Sequence, residues 1–333
     1  MYQRFLRFRA HLWLIILLLT FSLCIAESLL AAEKKSNSVR IAVNLFVHHP
    51  NIEAVYQGFK EVVDAWARSE KRTVRYDLQN ATGDVSIATQ IARKQASQEP
   101  DLILAVGTPS VQASKRVTTK IPIIFGAMTD PVSAGVVKSM GAPGTNCTGT
   151  SDIGPYDEQL GLIKSLFPNA KTLGVIRNPG EANSVASMRI IDKALVKWKF
   201  LKIEAPVSNT SEVLLAAQSL VGRCDIFYMP ADNTVLSALD AVVNVAHANK
   251  IPLFVGDEGS VEMGAVATIG IDYLQLGRAT GEIAVKVLKG TSPSSIPVLF
   301  GTATRLVVNL DAARQQGVNF PPALLEKAKV VKK

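Results

Sequence analysis

From residue 39 onward, short apolar runs rich in β-branched residues alternate with stretches of amphipathic helical periodicity, and little else constrains the fold as strongly. Residues 39–46 read as a buried parallel strand. A helix over 51–69 follows, with Ile52, Val55, Phe59, Val62, Val63 and Trp66 on one face. A strand over 73–78, a helix over 84–97 capped by Asp84, a strand over 102–106, a helix over 110–117 and a strand over 121–125 complete a first series. A second series starts after Asp152. Its helices fall over 156–166, 181–198, 211–221 and 234–248, and its strands over 172–176, 201–205, 225–229 and 252–255. Residues 266–271 and 274–288 add one more strand and helix. Alternation of this length means βαβ units, parallel sheets and right-handed crossovers.

Roughly ten strands exceed the usual ~4–6 of one sheet. The Gly/Thr-rich stretch 141–151 reads as the passage between two lobes. The expected fold is therefore α/β, with two lobes that are each a parallel sheet flanked by helices. The first lobe is expected over 39–150 plus about 272–325, and the second over 151–271. An apolar content of 48% with only 6% aromatics suits such aliphatic, doubly covered sheets and excludes a disordered chain. Three Cys in 333 residues exclude a disulfide scaffold.

Residues 1–32 run from a basic start (Arg4, Arg7, Arg9) through an apolar stretch at 12–26 to small residues. This is the layout of a cleaved signal peptide, with cleavage between about 26 and 32. The apolar run is short of the ~20 residues that span a bilayer. Leu23 is bulky for the position before a lipidated cysteine, which argues against anchoring through Cys24. Cys147 and Cys224 then remain; they can pair, but two unpaired buried thiols are the preferred reading. Loss of the three arginines takes the net charge from +8 to +5, and the remaining bases are dispersed, so nucleic acid is not expected as a partner.

Open α/β sheets bind ligands at the carboxyl ends of their strands. Six such loops are polar: His48-His49-Pro50-Asn51, Gly107-Thr108-Pro109-Ser110, Thr129-Asp130-Pro131, Asn178 to Ser184, Asp232-Asn233-Thr234 and Gly256-Asp257-Glu258-Gly259. Hydroxyls, amides and free helix N-terminal N–H groups suit a small anionic group, and Asp232 or Asp257 can hold an ammonium. The competing role for these residues is helix capping. Neither a nucleophile elbow, a P-loop nor a dinucleotide-binding glycine motif occurs, so no catalytic residue and no cofactor are expected. The four His (His11, His48, His49, His247) show no metal spacing.

These loops, in this order, resemble the ABC-transporter substrate-binding protein family whose better-known members bind tryptophan, tyrosine or phenylalanine, with the periplasmic-binding-protein type I fold. The resemblance covers about 39–330. It rests on His49-Pro50 with Gly58-Phe59, Gly107-Thr108-Pro109, Thr129-Asp130-Pro131, Pro143-Gly144 to Gly149, Asn178 to Ser184, Asp232-Asn233-Thr234, Ile271-Asp272-Tyr273 with Leu276-Gly277-Arg278, and Val308-Asn309-Leu310. Ser187 stands where the family often has Gln. The resemblance implies a monomeric, non-enzymatic periplasmic protein with a ligand cleft between its lobes, which closes about a hinge on an amino-acid-like ligand, and a membrane permease with its ATPase as partners. A periplasmic sensor presenting its bound form to a receptor is the alternative. Thr108 and Ser110 are expected at one polar end of the ligand, with Asn183, Ser184, Asp232, Asn233 and Asp257 at the other. Asp130 joins them from the first lobe, and Phe46, His48, Pro50 and Pro109 are expected to flank the ligand side chain.

Overall fold

The computed structural model describes residues 37–332, so the expected signal segment lies outside the described residues. The first series forms β1 (Ser38–Leu45), α1 (Pro50–Ser69), β2 (Thr73–Asn80), α2 (Val85–Ser97), β3 (Leu102–Val106), α3 (Thr108–Val117), β4 (Ile123–Gly126) and β5 (Cys147–Ser151). The second forms α4 (Tyr156–Leu166), β6 (Thr172–Arg177), α5 (Ala182–Trp198), β7 (Leu201–Pro206), α6 (Val213–Ser219), β8 (Ile226–Met229), α7 (Asn233–Leu236), α8 (Leu239–Asn249), β9 (Leu253–Val255), α9 (Glu258–Glu262) and β10 (Ala267–Ile271). After them come α10 (Tyr273–Leu288), β11 (Leu299–Phe300), β12 (Thr304–Asn309), α11 (Leu310–Gln315), α12 (Pro322–Leu325) and β13 (Lys329–Lys332).

The strands make two sheets, ordered β11-β5-β4-β3-β1-β2 and β13-β12-β10-β9-β8-β6-β7. All pairings are parallel except β10 with β12. Each sheet is covered on both faces, which explains its near-continuous apolar strands. Alternate residues enter opposite layers: Leu102, Leu104 and Val106 join the layer under α1 and α10, whereas Ile103 and Ala105 join the layer with Phe125 and Val111. In the second sheet, Ile226 and Tyr228 pack in one layer and Phe227 and Met229 in the other.

Helix α10 returns to the first lobe and packs along α1. The approach is so close that a Cβ at Gly58 would lie 2.3 Å from the Leu274 carbonyl oxygen, and one at Gly277 2.3 Å from that of Val55. The chain beyond α10 departs from the expected boundary. β11 pairs with β5 in the first sheet, but β12 and β13 join the second. Three crossings therefore link the lobes, at 152–155, 272 and 301–303. They are tied together, Gly301 N donating to Ser151 O (2.9 Å) and Asp272 N to Ala303 O (2.9 Å).

Strand β5 falls inside the stretch read as a linker. Its sequence, Cys-Thr-Gly-Thr-Ser, has no apolar pattern, yet all five residues are buried. The hydroxyls are satisfied across the lobe: Thr148 Oγ1 donates to Ile296 O (2.7 Å), Thr150 shares a bond with Thr280 (2.8 Å) and Ser151 Oγ donates to Thr129 O (2.8 Å). The helix expected over 234–248 is two helices, broken at Ser237 and Ala238. Cys147 is buried and Cys224 only half-buried, and both are free thiols.

Candidate functional site

The carboxyl ends of both sheets face each other across a cavity with about 410 Å³ of empty space, opening included. Its polar wall carries His49, Asn51, Thr108, Thr129, Asp152, Asn183, Asn233 and Tyr273, and its apolar wall Val47, Ile52, Ala127 and Leu236. Of the residues expected to touch the ligand, Thr108, Asn183 and Asn233 meet here, with His49, Asn51 and Thr129 from the same polar loops.

The lobes stand closed over this space. Asn51 at the start of α1 donates through Nδ2 to Asp257 Oδ1 (2.6 Å) and accepts from Gly259 N (3.0 Å) in the other lobe. His49 Nε2 lies 3.3 Å from Ser260 Oγ. His49, not His48, is the inward histidine. It caps α1, its Nδ1 accepting from Asn51 N, and is 2% exposed. The His48 side chain is exposed, 3.7 Å from Glu53.

The other expected contacts have structural roles. Ser110 Oγ donates to Asn44 Oδ1 (3.0 Å) under the first sheet's edge, Pro109 is buried in the first turn of α3, and Phe46 sits in the core. Asp130 closes its own turn by accepting from Val132 N and Ser133 N. Pro50 lines a separate groove with Glu262 and Arg305, and Ser184 is buried outside the cavity wall. Asp257 caps α9, accepting from Ser260 N (2.9 Å) and Ser260 Oγ (2.8 Å), and takes part in lobe closure. Asp232 is fully buried and spends both oxygens on main chain: Oδ1 accepts from Val235 N (3.1 Å) and Oδ2 from Asn178 N (2.7 Å). Burial, and after it the nearby Glu181, raise its carboxyl to about 7. Ser187, the departure from the family pattern, bonds the Tyr156 hydroxyl (2.6 Å).

The residue that sequence reading passed over is Asp152, on the first crossing. Its oxygens accept from Thr129 Oγ1 (3.0 Å) and the Tyr273 hydroxyl (3.2 Å). No ion pair to it is found among the described residues. Burial raises its pKa against those two hydrogen bonds. An ionised carboxylate in such a place calls for a cation. Its position directly after a strand was the available signal, hidden because β5 was read as linker.

The model of the family described as ABC transporter substrate binding protein matches residues 40–332. The chain belongs to that family. It is 40% identical over 284 residues to a tyrosine-binding protein of Clostridioides difficile, covering 84% of this chain and 82% of that one. A Streptococcus pneumoniae ABC domain in complex with L-Trp is 30% identical and superposes with a TM-score of 0.83, covering 88% and 99% of the two chains. A ligand-free, open substrate-binding protein of Clostridium difficile with adhesive properties is 39% identical, yet its TM-score is 0.67 over 89% and 99%. Sequence identity would order these two the other way, but the chain superposes better on the L-Trp complex than on the open, ligand-free protein. The fold is that of the type I periplasmic binding proteins, and the family is non-enzymatic.

Proposed function

We propose that this substrate-binding protein serves an ABC importer outside the cytoplasm and closes about its three crossings on an aromatic amino acid. The observation that carries the reading is Asp152, a buried carboxylate in the interlobe cavity whose bonded side chains, among the described residues, are two hydroxyls. It receives the ligand ammonium. The loops after β3 and β4 are neighbours, about 5 Å apart. This sets Gly107-Thr108, where α3 starts without a side-chain cap, beside Thr129, and the free N–H groups there take the ligand carboxylate. The apolar wall receives the side chain. The tyrosine-binding relative and the L-Trp complex support an aromatic one.

Export through the signal segment, and a permease with its ATPase as partners, belong to the same reading. Among the described residues no helix is long and apolar enough to cross a membrane. Thermal unfolding against a panel of amino acids tests it. A ligand at ~100 times its Kd adds about 2.7 kcal/mol, so L-tyrosine, L-tryptophan or L-phenylalanine should raise the Tm clearly. A panel in which none of the three moves the Tm refutes the reading. Small-angle scattering should show a smaller radius of gyration with the active ligand.

A further inference from the structure

The cavity holds a second acceptor that amino-group recognition leaves unused. Asn183, near the start of α5, is 5% exposed and lines the cavity. Its Nδ2 donates to Glu181 Oε2 (3.1 Å) and to the Ala231 carbonyl oxygen (3.2 Å), and these two acceptors fix the orientation of the amide. Glu181 is itself held, accepting from Asn233 N, Asn233 Nδ2, Thr234 N and Thr234 Oγ1. Asn183 Oδ1 is left with no hydrogen-bond partner. Among the described residues lining the cavity, it is the buried side-chain oxygen in that state. Native proteins keep few such atoms, because an unmatched buried acceptor is costly.

Asn183 also lies far from the amino-group end. It follows β6, whereas Tyr273, which holds Asp152, follows β10. The Asn183 amide reaches the Ala231 carbonyl, which follows β8, two strand steps from β10, so it stands about 10 Å from the Tyr273 loop. A ligand whose ammonium meets Asp152 therefore brings its side chain, not its amino group, towards Asn183.

We propose that Asn183 Oδ1 accepts a hydrogen bond from the ligand side chain. The site would then take aromatic amino acids that carry a donor, a phenol O–H or an indole N–H, in preference to phenylalanine. This rests on the amino-acid reading of the cavity. A site that hydrogen-bonds its substrate rejects the analogue lacking that group, because its own acceptor is stranded.

The test is calorimetric titration of L-tyrosine, L-tryptophan and L-phenylalanine into the protein and its Asn183→Leu and Asn183→Ala variants, with melts of each. The unaltered protein should bind tyrosine or tryptophan roughly 10- to 100-fold more tightly than phenylalanine. Both variants should lose that ratio, with phenylalanine affinity nearly unchanged. A purely structural Asn183 would lower all three affinities together and preserve the ratio, which overturns the proposal. Equal affinities in the unaltered protein overturn it too, even where a variant fails to fold, while leaving the amino-acid reading intact. Binding of none of the three overturns both.

Discussion

Two buried aspartates on opposite sides of the cleft show how differently the same side chain can be used. Asp232, in the second-lobe wall, follows a strand, starts a helix and is flanked by Asn233 and Thr234. It bonds main-chain N–H groups with both oxygens, and the cavity is lined by its neighbours Ala231 and Asn233 instead. Asp152, at the hinge end, has two hydroxyls as its side-chain donors among the described residues, and faces the cavity. A carboxylate saturated by main-chain donors is a cap. One whose side-chain donors are hydroxyls, with no cation beside it among the described residues, is open to a cationic ligand.

Substitution is the hardest test of that contrast. Asp152→Asn strands the ligand ammonium, and losing one partner of a buried pair costs about 3–5 kcal/mol, or at least two decades of affinity by titration. Its melt without ligand should hold or rise. An affinity within a few-fold of the original would place the amino group elsewhere.

Closure comes next in size. A Cβ at Gly259 would lie 2.7 Å from Asn51 Oδ1 and 3.0 Å from His49 Cε1, both in the other lobe. Gly259→Ala should therefore wedge the lobes from a position outside the cavity, by pressing on Asn51 and His49 of its wall. Overpacking costs about 1–3 kcal/mol, which lowers affinity by roughly 5- to 150-fold and enlarges the ligand-bound radius of gyration. Unchanged scattering and affinity would mean that the cross-lobe bonds through Asn51 do not hold the bound form.

Asp232→Ala should do the reverse of Asp152→Asn. Loss of the cap and of the Asn178 bond lowers stability by about 1–3 kcal/mol in a chemical melt, while ligand affinity shifts only a few-fold. A decade or more of lost affinity would return Asp232 to the ligand.

The last effect is on pH dependence. Because the folded Asp232 carboxyl sits near 7, above its ordinary 3.8, the fold binds its proton more tightly than the unfolded chain does. Its contribution to stability is full below about pH 4 and is lost as pH rises through 7. Asp232→Asn should flatten that part of the stability profile. An unaltered slope would assign it to other groups.

Sequence carried the layered architecture because buried strands such as Leu102–Val106 and amphipathic helices such as Pro50–Ser69 announce themselves by periodicity. It carried Thr108, Asn183 and Asn233 because each lies where a strand gives way to a helix. It failed at β5, whose burial depends on Thr and Ser hydroxyls finding partners more than 20 residues away, and with β5 went Asp152. Between His48 and His49 nothing in sequence decides; the capping geometry at α1 turns the second inward. Asp232 and Asp257 look the same in sequence whether they cap or bind, and the difference lies in which donors surround them.

The most direct test removes the amino group from the ligand and leaves the protein untouched. L-tyrosine and L-tryptophan should each be titrated beside the analogue in which hydrogen replaces the α-ammonium. With Asp152 as its partner, loss of the ammonium should cost at least two decades of affinity. Equal binding with and without the amino group, or no binding of either amino acid, would contradict the account.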